Sequence, residues 1–432
     1  MHCMFRKTKH AGDAAPRAVA SARSWLFGLC LGWSAVYATD APLALDETIR
    51  RSEELSPMLA ARRAAVAAAE LESSPAGELP DPELLVGVDN LPVTGSDAGS
   101  VTADFMTMRR VGVMQAFPRR AKRDARVERA QATVAREAAL RDVERLGVRE
   151  AAARAWILVW RAERQVALMQ SLKTRADAQV NAADANLAAG RASAADAIAA
   201  REQRSALDDR LTEAERDVIA ARAGLARWLP DDAALPLADP PDFRTLGRDP
   251  QTILAAIDRH RGLLTFDAET RLAEAELALA RADKRPDWAL EVSFADRGPA
   301  FSDMVSVMAR IDLPVFSRRR QDPVIAARQA SLERVEAERE AARREHAAEL
   351  RAALAAWQAA RARVERSERE LLPLAEARGD AALAGYRGGR GTLAESLSAQ
   401  SDLIELHLAS ATRLAELGEA WVSLRYAFLE EH

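Results

Sequence analysis

The sequence predicts an α+β fold: long α-helical hairpins and two β-hairpins per chain, laid out as an internal duplication. Three observations carry this. Ala, Glu, Arg and Leu dominate the chain, and its turn residues collect at a few places. Two pairs of short runs alternate apolar and polar residues at period two. Equivalent stretches then recur in the same order in the second half.

The N-terminus carries Arg6, Lys7, Lys9, Arg17 and Arg23 ahead of an apolar stretch, Trp25 to Ala38. Val36 and Ala38 fit a small-residue cleavage site, so residues 1–38 are expected to be a secretory signal peptide cleaved after Ala38. The other reading is an N-terminal anchor that stays attached. Both cysteines, Cys3 and Cys30, fall in this segment, which leaves the mature chain without a thiol. Leu29 stands where a lipoprotein signal requires a small residue, which argues against lipidation at Cys30.

Residues 39–249 form the first repeat. A helix is expected from Leu45 to Leu71, then a break at Pro75, Pro80 and Pro82, then a β-hairpin over 83–117 with strand-like runs at 83–89 and 105–117. From Arg119 to Ala189 there is no Pro, and Gly147 is the sole Gly before Gly190. This allows a helix of about 105 Å at 1.5 Å per residue. The return helix, Ala194 to Trp228, completes a helical hairpin over 119–229, and the Pro- and Asp-rich stretch 230–249 reads as a linker.

Residues 250–432 repeat that order: a helix to Asp283, a β-hairpin over 288–316, and a helical hairpin over 324–431 whose long first arm reaches Ala384. In this hairpin Trp288, Leu290, Val292 and Phe294 share one face, while Glu291, Ser293, Ser306, Arg310 and Asp312 fall on the other. Each run is close to the roughly 9–11 residues that cross a bilayer as a tilted strand. The register that relates the halves sets Gly190 over Gly389, Asp196 over Glu395 and Phe117 over Phe316.

A formal net charge of −4 with interspersed signs suggests no nucleic-acid surface. No later run of about 18 apolar residues is present, which excludes a helical inner-membrane protein. If the hairpins span a bilayer, physics restricts the assembly. Four strands cannot close a barrel, and each unpaired N–H or C=O in lipid costs several kcal/mol. Three copies would supply twelve strands, enough for a barrel, and long helices to continue the tube. Glu291, Ser293, Ser306, Arg310 and Asp312 would then line a wet lumen.

The order of signal, helix, β-hairpin, long helix, Gly turn and helix, then the whole again, resembles the TolC-like outer-membrane efflux proteins over nearly the full mature chain. Tyr386-Arg387-Gly388-Gly389-Arg390-Gly391-Thr392-Leu393-Ala394-Glu395 looks like that family's second periplasmic turn. Val88 to Gly95 and Phe105 to Pro118 look like the CzcC/CusC branch that serves heavy-metal pumps. The resemblance implies a homotrimer in the outer membrane of a Gram-negative bacterium, with a 12-stranded β-barrel continued by a periplasmic α-helical barrel. Its partners would be outer-membrane lipid, a periplasmic adaptor and, through the adaptor, a proton-driven inner-membrane pump of the RND type. It also implies a periplasmic gate at Asp196, Tyr386, Arg390 and Glu395, Arg390 lying one place from the family's Arg and Ser398 replacing a second acid. Adaptor docking would fall on Gly190, Arg191, Gly388, Gly389 and Gly391.

Simpler readings stand beside these. Asp196 and Glu395 could serve only as acids at helix starts, where the dipole favours them, and the Gly turns could be plain helical-hairpin turns. The basic clusters Arg119, Arg120, Lys122, Arg123 and Arg318 to Arg320 oppose the helix dipole and could face lipid phosphate or bulk solvent. His260, His346, His407 and His432 show no metal-site spacing, and no cofactor or catalytic constellation is expected. The strand methionines, Met106, Met108, Met114, Met304 and Met308, read as wall-lining residues, although thioethers can hold Cu(I). A duct for organic drugs or secreted proteins shares the fold, and a periplasmic coiled-coil scaffold is the alternative of a different class.

Overall fold

A computed structural model describes residues 41–428. The expected signal peptide, 1–38, lies outside the described residues, as does the end of the last helical segment beyond 428. The elements follow the expected order: α1 (Leu45–Leu55), α2 (Pro57–Ser73), β1 (Glu83–Asp89), β2 (Met108–Phe117), α3 (Arg120–Ala188) and α4 (Ala194–Ala226), then α5 (Pro250–Ala255), α6 (Phe266–Ala282), β3 (Trp288–Asp296), β4 (Met304–Ile311), α7 (Gln321–Arg366), α8 (Leu372–Arg387) and α9 (Leu393–Arg425).

Several expected elements are broken or shortened, each for a local reason. The helix over 45–71 divides at Ser56, because Pro57 cannot donate into a continuing helix and instead occupies the first turn of α2, capped by the Ser56 hydroxyl. The stretch before Asp283 holds α5, two 3₁₀ turns and α6 rather than one helix. Between α7 and α8 the chain passes through a π-helical turn, Ser367–Leu371, just before Pro373. That wider turn fits a proline whose ring would clash with a regular preceding turn. β2 starts at Met108 rather than 105, and β4 ends at Ile311 ahead of Pro314, so Phe316 lies beyond the strand.

The two β-hairpins are one sheet, antiparallel throughout, in the order β1-β2-β3-β4. Pairing of β2 with β3 runs from Arg109 opposite Asp296 to Phe117 opposite Trp288, where the two rings stack at 4.4 Å. The backbones approach closely at Gly112. A Cβ there would sit 2.7 Å from Ser293 Cβ and 3.0 Å from the Val292 carbonyl oxygen. Gly87, on β1, has open space instead.

The main core lies at mid-length of the long helices, where a belt of irregular chain crosses them. Trp156 on α3, Trp357 on α7 and Trp421 on α9 each bury an indole and donate Nε1–H to a belt carbonyl: Leu43, Phe243 and Thr245, at 2.8, 3.0 and 2.6 Å. This satisfies both the indole and the belt backbone. Leu43 also bridges Leu237, and His260 bridges Phe428, so the belt closes on itself.

At that second bridge His260 packs its ring 4.8 Å from His346 and edge-on to Phe428, and its Nδ1 accepts the Gly262 N–H at 3.2 Å. His346 Nδ1 meets Glu349 Oε2 at 2.8 Å. Burial, then the neighbouring His346 and Arg261 charges, push the His260 pKa down to about 4, against a smaller upward pull from Glu349.

Two outcomes follow. Gly112→Val should destabilise the sheet by ~1–3 kcal/mol through overpacking, read as a lower Tm, whereas Gly87→Val should leave Tm nearly unchanged. His260 stays neutral when folded but takes a proton near its ordinary pKa when unfolded. Its contribution is therefore complete above about pH 6.5 and is lost as pH falls toward 4. Thermal melts should show a stability loss across that window that His260→Gln flattens.

Candidate functional site

The sheet has two chemically distinct faces. On one, the register stacks Leu84–Val113–Val292–Val307 and Val86–Val111–Phe294–Val305 across all four strands. These side chains stand in the open: Val86 is 73% exposed and Val305 70%. The other face carries Glu291 and Ser293, buried at 5% and 3%, with Ser306 opposite Ser293 and Arg310 opposite Ala289. Thus Glu291, Ser293, Ser306 and Arg310 share one face, as the period-two pattern requires. Asp312 lies just past β4, its N–H donating to the Asp287 carbonyl.

Charge on the polar face is paired. Arg110 reaches Asp89 at 3.3 Å and Glu291 at 3.4 Å, and Arg310 approaches Glu291 at 3.7 Å. Met114, Glu291 and Met308 fall in one cross-strand row, and Arg310 Nη1 donates to Met114 Sδ at 3.2 Å. The outer edges of β1 and β4 pair with no strand among the described residues.

Where sheet meets helices, Lys122 ties the two halves together. Its Nζ lies 2.9 Å from Asp283 Oδ1 and 2.8 Å from Asp287 Oδ2, while Asp287 also accepts the Arg119 N–H. Arg119 Nε donates to the Pro286 carbonyl, and Arg123 to that of Gly77. The first basic cluster is therefore partly used inside the chain: Lys122 and Arg123 are half-buried, while Arg119 and Arg120 stay exposed. Arg318, Arg319 and Arg320 are exposed.

At the far ends of the helical hairpins the two halves are built alike. Gly190 and Gly389 take φ of 66° and 69°. In the first, the Arg191 N–H reaches the Asn186 carbonyl and the Gly190 N–H that of Leu187; in the second, Arg390 reaches Gly385 and Gly389 reaches Tyr386. Both are Schellman ends, which need a left-handed residue at that position. Each is followed by a capping box. Ser193 and Asp196 exchange bonds at the start of α4, and Thr392 and Glu395 at the start of α9. The Ser193 backbone N–H, then its hydroxyl, hold the Asp196 carboxyl below its ordinary pKa.

Of the four expected gate residues, Asp196 and Glu395 are thus engaged by their own caps. Tyr386 Oη accepts from Asn186 Nδ2 at 2.9 Å, and Arg390 stands in the turn. No hydrogen bond or ion pair joins any two of the four within the chain. The sequence reading missed Asn186 as the tyrosine's partner. It also missed Lys122 with Asp283 and Asp287, whose only sequence signal is a pair of acids flanking the β3 entry.

His260 and His346, distant in sequence, do meet, but no group of three or more His, Cys, Asp or Glu suited to a metal ion occurs among the described residues. None of the described helices is long and apolar enough to cross a membrane.

No protein-family model and no curated protein sequence matches the chain. Solved structures do match. A membrane protein from Pseudomonas aeruginosa aligns with a TM-score of 0.74 at 18% identity, covering 89% of this chain and 93% of its own. The outer membrane protein VceC of Vibrio cholerae gives 0.71 at 18%, covering 89% and 95%. CusC, a protein described through transmembrane channel formation, gives 0.69 at 16%, covering 90% and 93%. What the chain shares with these proteins is their fold, over nearly its full described length.

Proposed function

We propose that three copies of this chain form an outer-membrane channel of a tripartite efflux system. The carrying observation is the single four-stranded sheet, with an exposed apolar face, a paired-charge polar face and two edges that pair with no strand among the described residues. An isolated sheet of this kind is unstable in water and in lipid alike. Joining β1 of one copy to β4 of the next removes both edges, and three copies make a closed twelve-stranded barrel. The apolar face then meets lipid. Glu291, Ser293, Ser306, Arg310 and Asp312 face the lumen, and the paired helical hairpins extend the tube into the periplasm.

In this reading the duct conducts and performs no chemistry. Substrate is delivered by an RND-type pump through a periplasmic adaptor that docks on Gly190, Arg191, Gly388, Gly389 and Gly391. Asp196, Tyr386, Arg390 and Glu395 form the gate, by exchanging contacts between chains. Heavy-metal cations are the substrate class we favour, supported by the CzcC/CusC-like strand segments and by the Met114–Glu291–Met308 row on the polar face.

Detergent-extracted mature protein should have three times the chain mass by light scattering and form conducting pores in planar bilayers. A monomer without conductance would overturn the channel. Gly190→Val and Gly389→Val force a branched side chain into the left-handed region at ~1–2 kcal/mol or more. Either should abolish metal resistance of complemented cells while the trimer persists in the membrane. Normal resistance with Val at both positions would remove the docking role from the turns.

A further inference from the structure

Near the turns, the α3/α4 and α8/α9 hairpins separate around a cavity of about 880 Å³. One wall belongs to the small apolar cluster of Leu172, Leu207 and Ile404, and the other to that of Ala183 and Leu393. Two polar groups open on it without a partner. Ser396 is 0% exposed and its Oγ makes no hydrogen bond, and Gln179 Nε2 is buried and likewise unpaired. A buried hydroxyl or amide without a partner costs roughly 1–3 kcal/mol, so a site that keeps both is incomplete as it stands. Arg175, Arg191 and Arg387 line the same space with no ion pair among the described residues, against two carboxylates, Asp380 and Glu376, the latter 3.8 Å from His407.

We propose that this cavity is a binding site for a drug-sized amphiphilic organic anion. The volume lies within the roughly 300–1,000 Å³ of small-molecule sites, which combine an apolar wall with a few convergent polar groups. The apolar body fills the space between the two clusters. An acceptor oxygen accepts hydrogen bonds from the Gln179 amide and the Ser396 hydroxyl, and the anionic group meets the guanidinium cluster. Because the site lies between two hairpins of one chain, its occupant favours the hairpin spacing that holds it and disfavours any other. The binding itself depends on a single chain and is independent of whether the protein conducts.

The test is a titration of 8-anilino-1-naphthalenesulfonate into the mature protein reconstituted in lipid nanodiscs, with empty nanodiscs subtracted. Saturable fluorescence at one site per chain is expected. Arg191→Glu with Arg387→Glu should raise Kd at least tenfold, and Ser396→Ala severalfold. Gly379→Leu should abolish the signal: it projects a side chain into the cavity from a helical position whose added Cβ meets nothing closer than Leu403 at 3.9 Å. Unsaturable signal, or an affinity unmoved by the double arginine replacement, would overturn the proposal. Retention of assembly by the surface arginine variant keeps the reading clear if Gly379→Leu fails to fold.

Discussion

The pairing of β2 with β3 is the contact on which the rest of the molecule depends. Two β-hairpins contributed by distant halves of the chain would each be marginal alone. Nine registered residue pairs, from Arg109–Asp296 to Phe117–Trp288, make them one sheet. Lys122 locks the junction. Burial opposes its charge, but Asp287 and Asp283 more than compensate, and its pKa stands above the ordinary lysine value. That clamp sits where α3 leaves the sheet and β3 enters it, so it also fixes how the helices of the two halves depart side by side.

The fused sheet gives the chain its unsolved problem. All four strands present apolar side chains to one side, so a soluble monomer would expose a contiguous patch of the kind that marks an interaction surface. The polar side is shielded by its own pairs, with Glu291 held between Arg110 and Arg310. A soluble scaffold has no use for this arrangement: it would bury the valines and solvate the glutamate. Here the burial is inverted, as the barrel proposed above requires.

Much of this was legible in the sequence because it rests on periodicity. The period-two runs fixed which residues share a face, and the absence of Pro from Arg119 to Ala189 fixed α3 almost to the residue. The offset that set Gly190 over Gly389 held down to the hydrogen bonds of both Schellman ends. Local chemistry that breaks a pattern was harder to see. Pro57 divides a helix whose apolar spacing runs straight through it, and the π-helical turn before Pro373 has no periodic signature. Contacts set by tertiary meeting could not be read at all. Lys122 finds its acids, and Tyr386 finds Asn186, only because elements far apart in the chain are brought side by side.

The duplicated tips bear on how a gate could work. Asp196 and Glu395 each satisfy an otherwise unpaired N–H at a helix start, so a contact to another chain has to be made without breaking that bond. A carboxylate has about four acceptor positions, and each cap occupies one oxygen, Asp196 Oδ2 and Glu395 Oε2. The second oxygen of each remains available to a donor from a neighbouring copy without dismantling the helix. An interchain contact made this way adds to the cap instead of replacing it. Its loss would leave the helix start intact, and a tip that must open and close repeatedly would need that separation between folding and gating.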